Sequence, residues 1–291
     1  MLDGDLDAFI EAKLTEKGLS FSREADPATF IRRASFDLLG LPPTPEEVES
    51  LVSKDTEWQY LALVDRWLAS PRHGEHWARH WLDAIHYADT HGNDHDYARW
   101  NAWPYRDYLI RSFNKDKPYA QFVAEQVAGD VLRPEDPDAT VAMGFVAAGP
   151  WDESSLRDIR EDTLDRQIAR YLDRDDMLTT VMQTFASTTV QCARCHDHKF
   201  DPVSQADYYA LQAVFAGVDR GNRYYDPDPE LHQRRRALQQ EKAFLEGLTD
   251  DGLAKLATPD ALRSMDRWLV EASEQARAWK VFSPVQFQSS G

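Results

Sequence analysis

Long apolar runs are missing from this chain. Nowhere do 18 apolar residues follow one another, so no segment is suited to cross a bilayer as a helix. Positive charge is scarce too: Lys and Arg total 33 against 50 Asp and Glu, a formal charge of -17. Nucleic acid needs a basic face, which this balance withholds, so no nucleic-acid partner is expected. The opening Met1-Leu2-Asp3-Gly4-Asp5 has neither the basic nor the apolar stretch of a secretory signal, and Met1 is read as an added start. Cysteine occurs twice in 291 residues, with no second C-x-x-C to complete a four-thiolate zinc site. That length suffices for one large domain or two modest ones.

What is present is concentrated. Cys192-Ala193-Arg194-Cys195-His196 joins both thiols and an imidazole in the spacing C-x-x-C-H. Two thiols so spaced can add to the two vinyl groups of one porphyrin while the adjacent imidazole ligates the iron, so the motif predicts one haem c held by Cys192, Cys195 and His196. Three other readings stay open. A redox dithiol wants a βαβ setting, which the chain does not offer. A non-haem divalent metal would need His196 and His198 to complete a site, and a short-loop disulfide suits an exported protein. Haem attachment takes place outside the cytoplasm, so the haem reading predicts a periplasmic or otherwise exported piece of a larger protein.

The rest of the chain reads as helices. Leu6, Phe9, Ile10 and Leu14 recur at helical spacing up to Gly18, and a second helix with Phe30, Ile31, Phe36 and Leu39 ends before Gly40. Thr44-Pro45-Glu46-Glu47 supplies an N-cap, a proline at the first helical position and a capping-box acid. Further helices are expected over residues 58–68, 103–114 and 140–148, and from Lys117-Pro118-Tyr119 to Gly129. Leu164, Ile168 and Tyr171 are expected on the inner face of a charged helix, followed by an apolar one over 177–190. Ser204 caps a helix ending near Gly217. After residue 226, leucines seven apart (Leu231, Leu238, Leu245) and the stripe Leu262, Met265, Leu269 predict a helical hairpin. The Ser-rich end, Ser289-Ser290-Gly291, reads as the frayed edge of a longer protein.

The most unusual helix is expected over residues 72–90. Five of nine histidines lie between positions 73 and 91. His73, His76, His80 and Tyr87 fall on one face, with Trp77 and Trp81 interleaved. Such residues serve either as core, with imidazoles satisfied by nearby carboxylates, or as a wall against the haem, with the indoles stacked on the porphyrin and His80 the first choice for second axial ligand. His76, His86, Met177 and Met182 are its rivals. The loop from Asp89 to Asp96, rich in carboxylates and imidazoles, reads as an ordinary turn or as a cation or substrate site.

Several strings together carry a family resemblance: Leu39-Gly40-Leu41-Pro42-Pro43-Thr44-Pro45-Glu46-Glu47, His80-Trp81-Leu82-Asp83, Tyr87-Ala88-Asp89-Thr90, Tyr105-Arg106-Asp107-Tyr108, Asn114-Lys115-Asp116-Lys117-Pro118-Tyr119, Ala128-Gly129-Asp130, and Cys192 through Pro202. Over about residues 5 to 220 the chain resembles the second planctomycete-type cytochrome domain, a domain of unknown function in large exported proteins. The resemblance implies haem attachment at Cys192 and Cys195 with His196 as ligand, and a companion domain further along the full-length protein. It sets His80, Asp89, Arg106 and Asp130 in family-like positions. His86 stands where the family often has arginine. The expected architecture is mostly α, an irregular multi-helix domain with long loops over residues 1–225 and a charged helical hairpin over 226–291. The expected function is electron transfer within a larger oxidoreductase, one acting on polysaccharide and served by an unidentified redox partner, with Trp77, Trp81 and Phe185 burying the macrocycle and Lys199 answering a propionate. The alternatives are a haem or metal enzyme with an open site acting on carbohydrate, and a structural or carbohydrate-binding module whose cysteines form a disulfide or a non-haem site.

Overall fold

Capping chemistry sets where the helices begin. In a computed structural model, which describes residues 5–54, 57–92, 96–224 and 226–278, α1 spans Asp5–Glu16 and α2 spans Pro27–Leu39. The Asp26 carboxylate accepts from Thr29 N at 2.9 Å, and Pro27 follows at the first helical position. Gly40 ends α2 in the left-handed conformation, φ 67°, returning its N–H to Phe36 O. The expected capping box at Thr44 is present: Glu47 N donates to Thr44 Oγ1, and Thr44 N to Glu47 Oε2. It opens α3 (Pro45–Lys54). Glu47 also accepts from the Trp67 indole on α4 (Glu57–Leu68), which ties the two helices together. Ile31, Leu51, Leu63 and Trp67 form a small core between α2, α3 and α4.

The larger core gathers α5 (Pro71–Ala84), α6 (Trp103–Asn114), α7 (Tyr119–Leu132) and the short α8 (Pro137–Ala142) and α9 (Gly144–Ala147). To these are added α10 (Glu153–Asp158), α11 (Leu164–Ala186), the 3₁₀ turn Val190–Arg194 and α12 (Gln205–Val214). Tyr108, Leu109, Phe122, Phe145, Leu178 and Tyr208 are enclosed in it. Trp81 lies among Phe113, Phe122 and Phe185, and its indole N–H donates to Gln126 Oε1 at 3.0 Å. Tyr105 donates to the same oxygen at 2.7 Å, so the aromatic cluster carries its polar atoms already paired.

The chain divides into two compact units, one ending at Pro229 and the other starting at Glu230. The second carries α13 (Pro229–Glu246), α14 (Asp250–Leu256) and α15 (Pro259–Ala278), one helix more than a hairpin. Its leucine stripes, Leu231, Leu238, Leu245, Leu262 and Leu269, are exposed. The fold is mostly α, and no strand occurs among the described residues; one isolated antiparallel bridge joins Thr90 to Ala98. The expected start at Met1, the end at Ser289-Ser290-Gly291 and the loop residues Asn93, Asp94 and His95 lie outside the described residues.

Three expectations are corrected. The histidine helix stops at Ala84 rather than near Thr90: His86 turns left-handed, φ 44°, and Tyr87 N reaches back to Leu82 O. His86 and Tyr87 therefore leave the face of His73, His76 and His80. The charged segment and the apolar one after it are continuous in α11, whose buried side is Ala169, Met177, Leu178, Thr179 and Thr180. Leu164 points outward, 69% exposed, as does Ile168. Finally, α7 runs past Gly129 to Leu132 across a kink at Ala128.

Candidate functional site

The thiol segment hangs from the end of α11. Ser187 takes the left-handed conformation, φ 53°, and with Thr188 returns its N–H to Met182 O. The chain then tightens into the 3₁₀ turn, where three residues complete a revolution and positions i and i+3 eclipse. Val190 and Ala193 make one such pair, and both are fully buried. Cys192 and Cys195, the latter capping the turn with its N–H on Cys192 O, make another, and both are exposed free thiols. His196 follows, also exposed, with Nδ1 at 2.8 Å from Asp197 O. A carbonyl can only accept, so this contact fixes the proton of the neutral ring on Nδ1 and leaves the Nε2 lone pair outward.

The surroundings hold this turn firmly. Arg194 Nη1 pairs with Asp175 Oδ2 of α11 at 2.8 Å, and the Tyr208 hydroxyl of α12 donates to the same carboxylate. Tyr209 Oη and Gln205 Nε2 donate to Arg194 O, and Gln205 N donates to Asp197 Oδ1. His198 is committed elsewhere: its buried ring accepts at Nδ1 from the backbone N–H of Asp201 at 2.9 Å. Among the described residues, no group of three or more His, Cys, Asp or Glu side chains is placed to hold a metal ion. Lys199 lies over the Phe200 ring at 5.1 Å, and Phe200, five residues after Cys195, is 83% exposed.

The α5 histidines form a separate cluster. His73 Nδ1 lies 3.1 Å from Leu38 O, and His76 packs over Gly40, where an added Cβ would stand 2.3 Å from its Nδ1. His80 Nε2 is 3.4 Å from His76 Nε2, and Trp77, 41% exposed, meets His73, His76 and His80 through its ring. Trp81 is instead part of the aromatic core. Burial, then the positive neighbours His80, Arg79 and His73, hold His76 below its ordinary 6.5. A depressed imidazole favours the uncharged form, so its share of stability is present above 6.5 and lost as pH falls through the lower folded value. An NMR titration is expected to give a His76 midpoint below 6.5; one above it would refute the packing described.

These two groups are positioned by different helices. α5 packs on α2, α4 and α6, whereas the 3₁₀ turn packs on α11 and α12. The remaining axial candidates are also engaged. His86 bonds Asp176 Oδ1 at 3.2 Å and approaches Thr180 of α11, Met177 is fully buried, and Met182 packs against the core. Of the other family-like positions, Asp89 accepts from the Tyr87 hydroxyl, which burial and Asp89 push well above its usual range, and Arg106 pairs with Asp107.

Sequence reasoning missed a third group. Arg220 pairs with Asp173 at 2.7 Å and Asp176 at 3.3 Å, and donates to Gly149 O. Arg99 donates to Ala147 O, Ala148 O and Gly149 O, and burial, followed by the charge of Arg220, brings it down to about 10. Trp151 lies under Arg220 and stacks on His91 at 5.5 Å. Burial raises the Asp173 carboxyl, an effect Arg220 opposes and Asp176 assists. Beside this network lies a cavity of about 440 Å³.

A family model described as PSCyt2, protein of unknown function (DUF1549), matches residues 5–220, well over half of the chain and all three groups above. The chain belongs to the PSCyt2 family. No curated protein and no solved structure matches it. Within this PSCyt2 chain, the thiol turn has the donor set that a covalent haem requires: two accessible thiols on one edge and an imidazole with a free nitrogen.

Proposed function

We infer that this PSCyt2 domain is an exported haem c carrier serving as the electron-transfer module of a larger oxidoreductase. One observation supports it above the others: the 3₁₀ period turns Cys192 and Cys195 outward together while Val190 and Ala193 anchor the turn beneath them. Cys192 and Cys195 would each add S–H across a vinyl group, forming a thioether with no leaving group, and His196 Nε2 would ligate the iron. Bound haem would supply a one-electron couple, tuned by its axial ligands and exposure. Lys199 stands ready for a propionate, and Phe200 offers an apolar surface to the ring edge. With Trp81 held in the core, we assign macrocycle burial to residues around the turn rather than to α5.

The test is production in an export-competent host with cytochrome maturation. The expected result is a mass gain of one haem and a c-type α band, both abolished in Cys192→Ala plus Cys195→Ala. Matured protein without that mass gain would end the proposal. Binding of carbon monoxide by the reduced form would instead favour an enzyme with an open coordination position.

A further inference from the structure

One contact in the α5 cluster has the dimensions of a metal site. His76 and His80 stand four residues apart on one face of α5, and their Nε2 atoms approach to 3.4 Å. That is long for a hydrogen bond, whose usual range for an N–H donor ends at about 3.2 Å. It is the separation that a tetrahedral ion imposes: two bonds of about 2.0–2.1 Å at the tetrahedral angle set their nitrogens about 3.3–3.4 Å apart. Square-planar bonds of the same length would bring them to about 2.8–3.0 Å.

The rings are also held in place. His76 packs over Gly40, where an added Cβ would stand 2.3 Å from its Nδ1, and the Trp77 ring meets both His76 and His80 edge-on. α5 is itself fixed against α6: Gly74 N donates to Asn114 Oδ1 at 2.8 Å, and a Cβ on Gly74 would stand 2.5 Å from Ile110 O. The helix thus presets the distance between the two nitrogens, which leaves little for an ion to organise. His80 is exposed and His76 half-buried, so an ion reaches the pair from solvent. Arg79, with Nη2 3.5 Å from His76 Nδ1, works against a cation, whereas the formal charge of -17 works for one.

We propose that His76 and His80 form a two-imidazole site for a tetrahedral divalent transition metal of the zinc class, with water on the remaining positions. The ion takes the place of the proton that the two rings otherwise share. No group of three His, Cys, Asp or Glu is placed to hold an ion among the described residues, so the site is open and exchangeable rather than closed. It needs no haem, and it stands or falls independently of the haem reading.

Isothermal titration calorimetry with zinc chloride tests it, on the full chain carrying Cys192→Ala and Cys195→Ala so that no thiolate takes the ion. Saturable one-to-one binding is expected. In that background His80→Ala should weaken binding about tenfold or more, since even the outer partners of metal ligands are worth about 10–100-fold. Alanine suits an exposed helical position, so this variant should fold. Arg79→Gln should bind severalfold more tightly, because it removes the opposing charge; unchanged or weaker binding there would place the ion elsewhere. Absence of binding at about 1 mM zinc would overturn the proposal, as would unchanged affinity in His80→Ala. Loss of binding in His196→Ala but not in His80→Ala would put the ion at the thiol turn and refute the α5 site. If His80→Ala does not fold, the imidazole NMR resonances decide: zinc must shift those of His76 and His80 together, and a shift confined to other histidines refutes the site.

Discussion

Replacing Glu125 by alanine is expected to cost the fold about 3–5 kcal/mol, the range for removing one partner of a buried ion pair. Glu125 on α7 is 1% exposed and takes four donors: Lys117 Nζ at 2.5 Å, Gln121 at 2.6 Å, Arg133 at 2.7 Å and the Tyr108 hydroxyl at 2.9 Å. Without the carboxylate, the largely buried Lys117 ammonium and the Tyr108 hydroxyl of α6 lose their acceptor. Burial alone would raise this carboxyl, but the hydrogen bonds from Lys117, Gln121, Tyr108 and Arg133 outweigh it and hold it below its ordinary 4.5. With the folded value depressed, the stabilisation is present above 4.5 and lost as pH falls through the lower folded value. Urea unfolding at pH 7 and at progressively lower pH should show the parent losing stability in acid and Glu125→Ala losing less. A cost under about 1 kcal/mol at pH 7, the scale of an exposed pair, would show that the carboxylate is solvated.

Gly129→Ala is expected to be nearly as damaging. An added Cβ would stand 2.2 Å from Ala139 O and 3.0 Å from its carbonyl carbon. The obstacle is backbone, so no side chain can rotate away, and relief requires α7 to move off α8. Gly129 N also donates to Met143 Sδ at 3.2 Å, a contact the same movement would stretch. The expected cost is at or above the top of the 1–3 kcal/mol range, about 3 kcal/mol, seen for overpacking. Gly217→Ala is the control, since nothing lies within 4 Å of its added Cβ; it should stay within about 0.5 kcal/mol. Equal melting temperatures for the two variants would sink the argument.

Much of the fold was legible where the signal is local. Thr44 and Glu47, and Ser204 and Asp207, start helices through bonds made within four residues, and both capping boxes are present. Gly40 stops α2 because it alone enters the left-handed region without cost. The end of α5 was not legible, because His86 is held in its unusual conformation by Asp176 and Thr180, 90 and 94 positions away. The inner face of α11 was misjudged for a related reason. Leu164 and Ile168 look like core by residue type, yet what α11 buries begins at Ala169.

The same distinction holds for the sites. C-x-x-C-H is contiguous, whereas the Arg220 network draws on residues from 91 to 220, with Arg99 and Arg220 meeting at the carbonyls of Ala147 and Gly149. One local trace was available: Arg166, Arg170 and Arg174 at four-residue intervals in an acidic chain. The cavity those three line draws on residues from Trp151 to Arg220, so no contiguous stretch of sequence shows it.

Because Val190 and Ala193 are buried while both cysteines are exposed, an alkylating reagent is expected to reach Cys192 and Cys195 without prior denaturation of the protein.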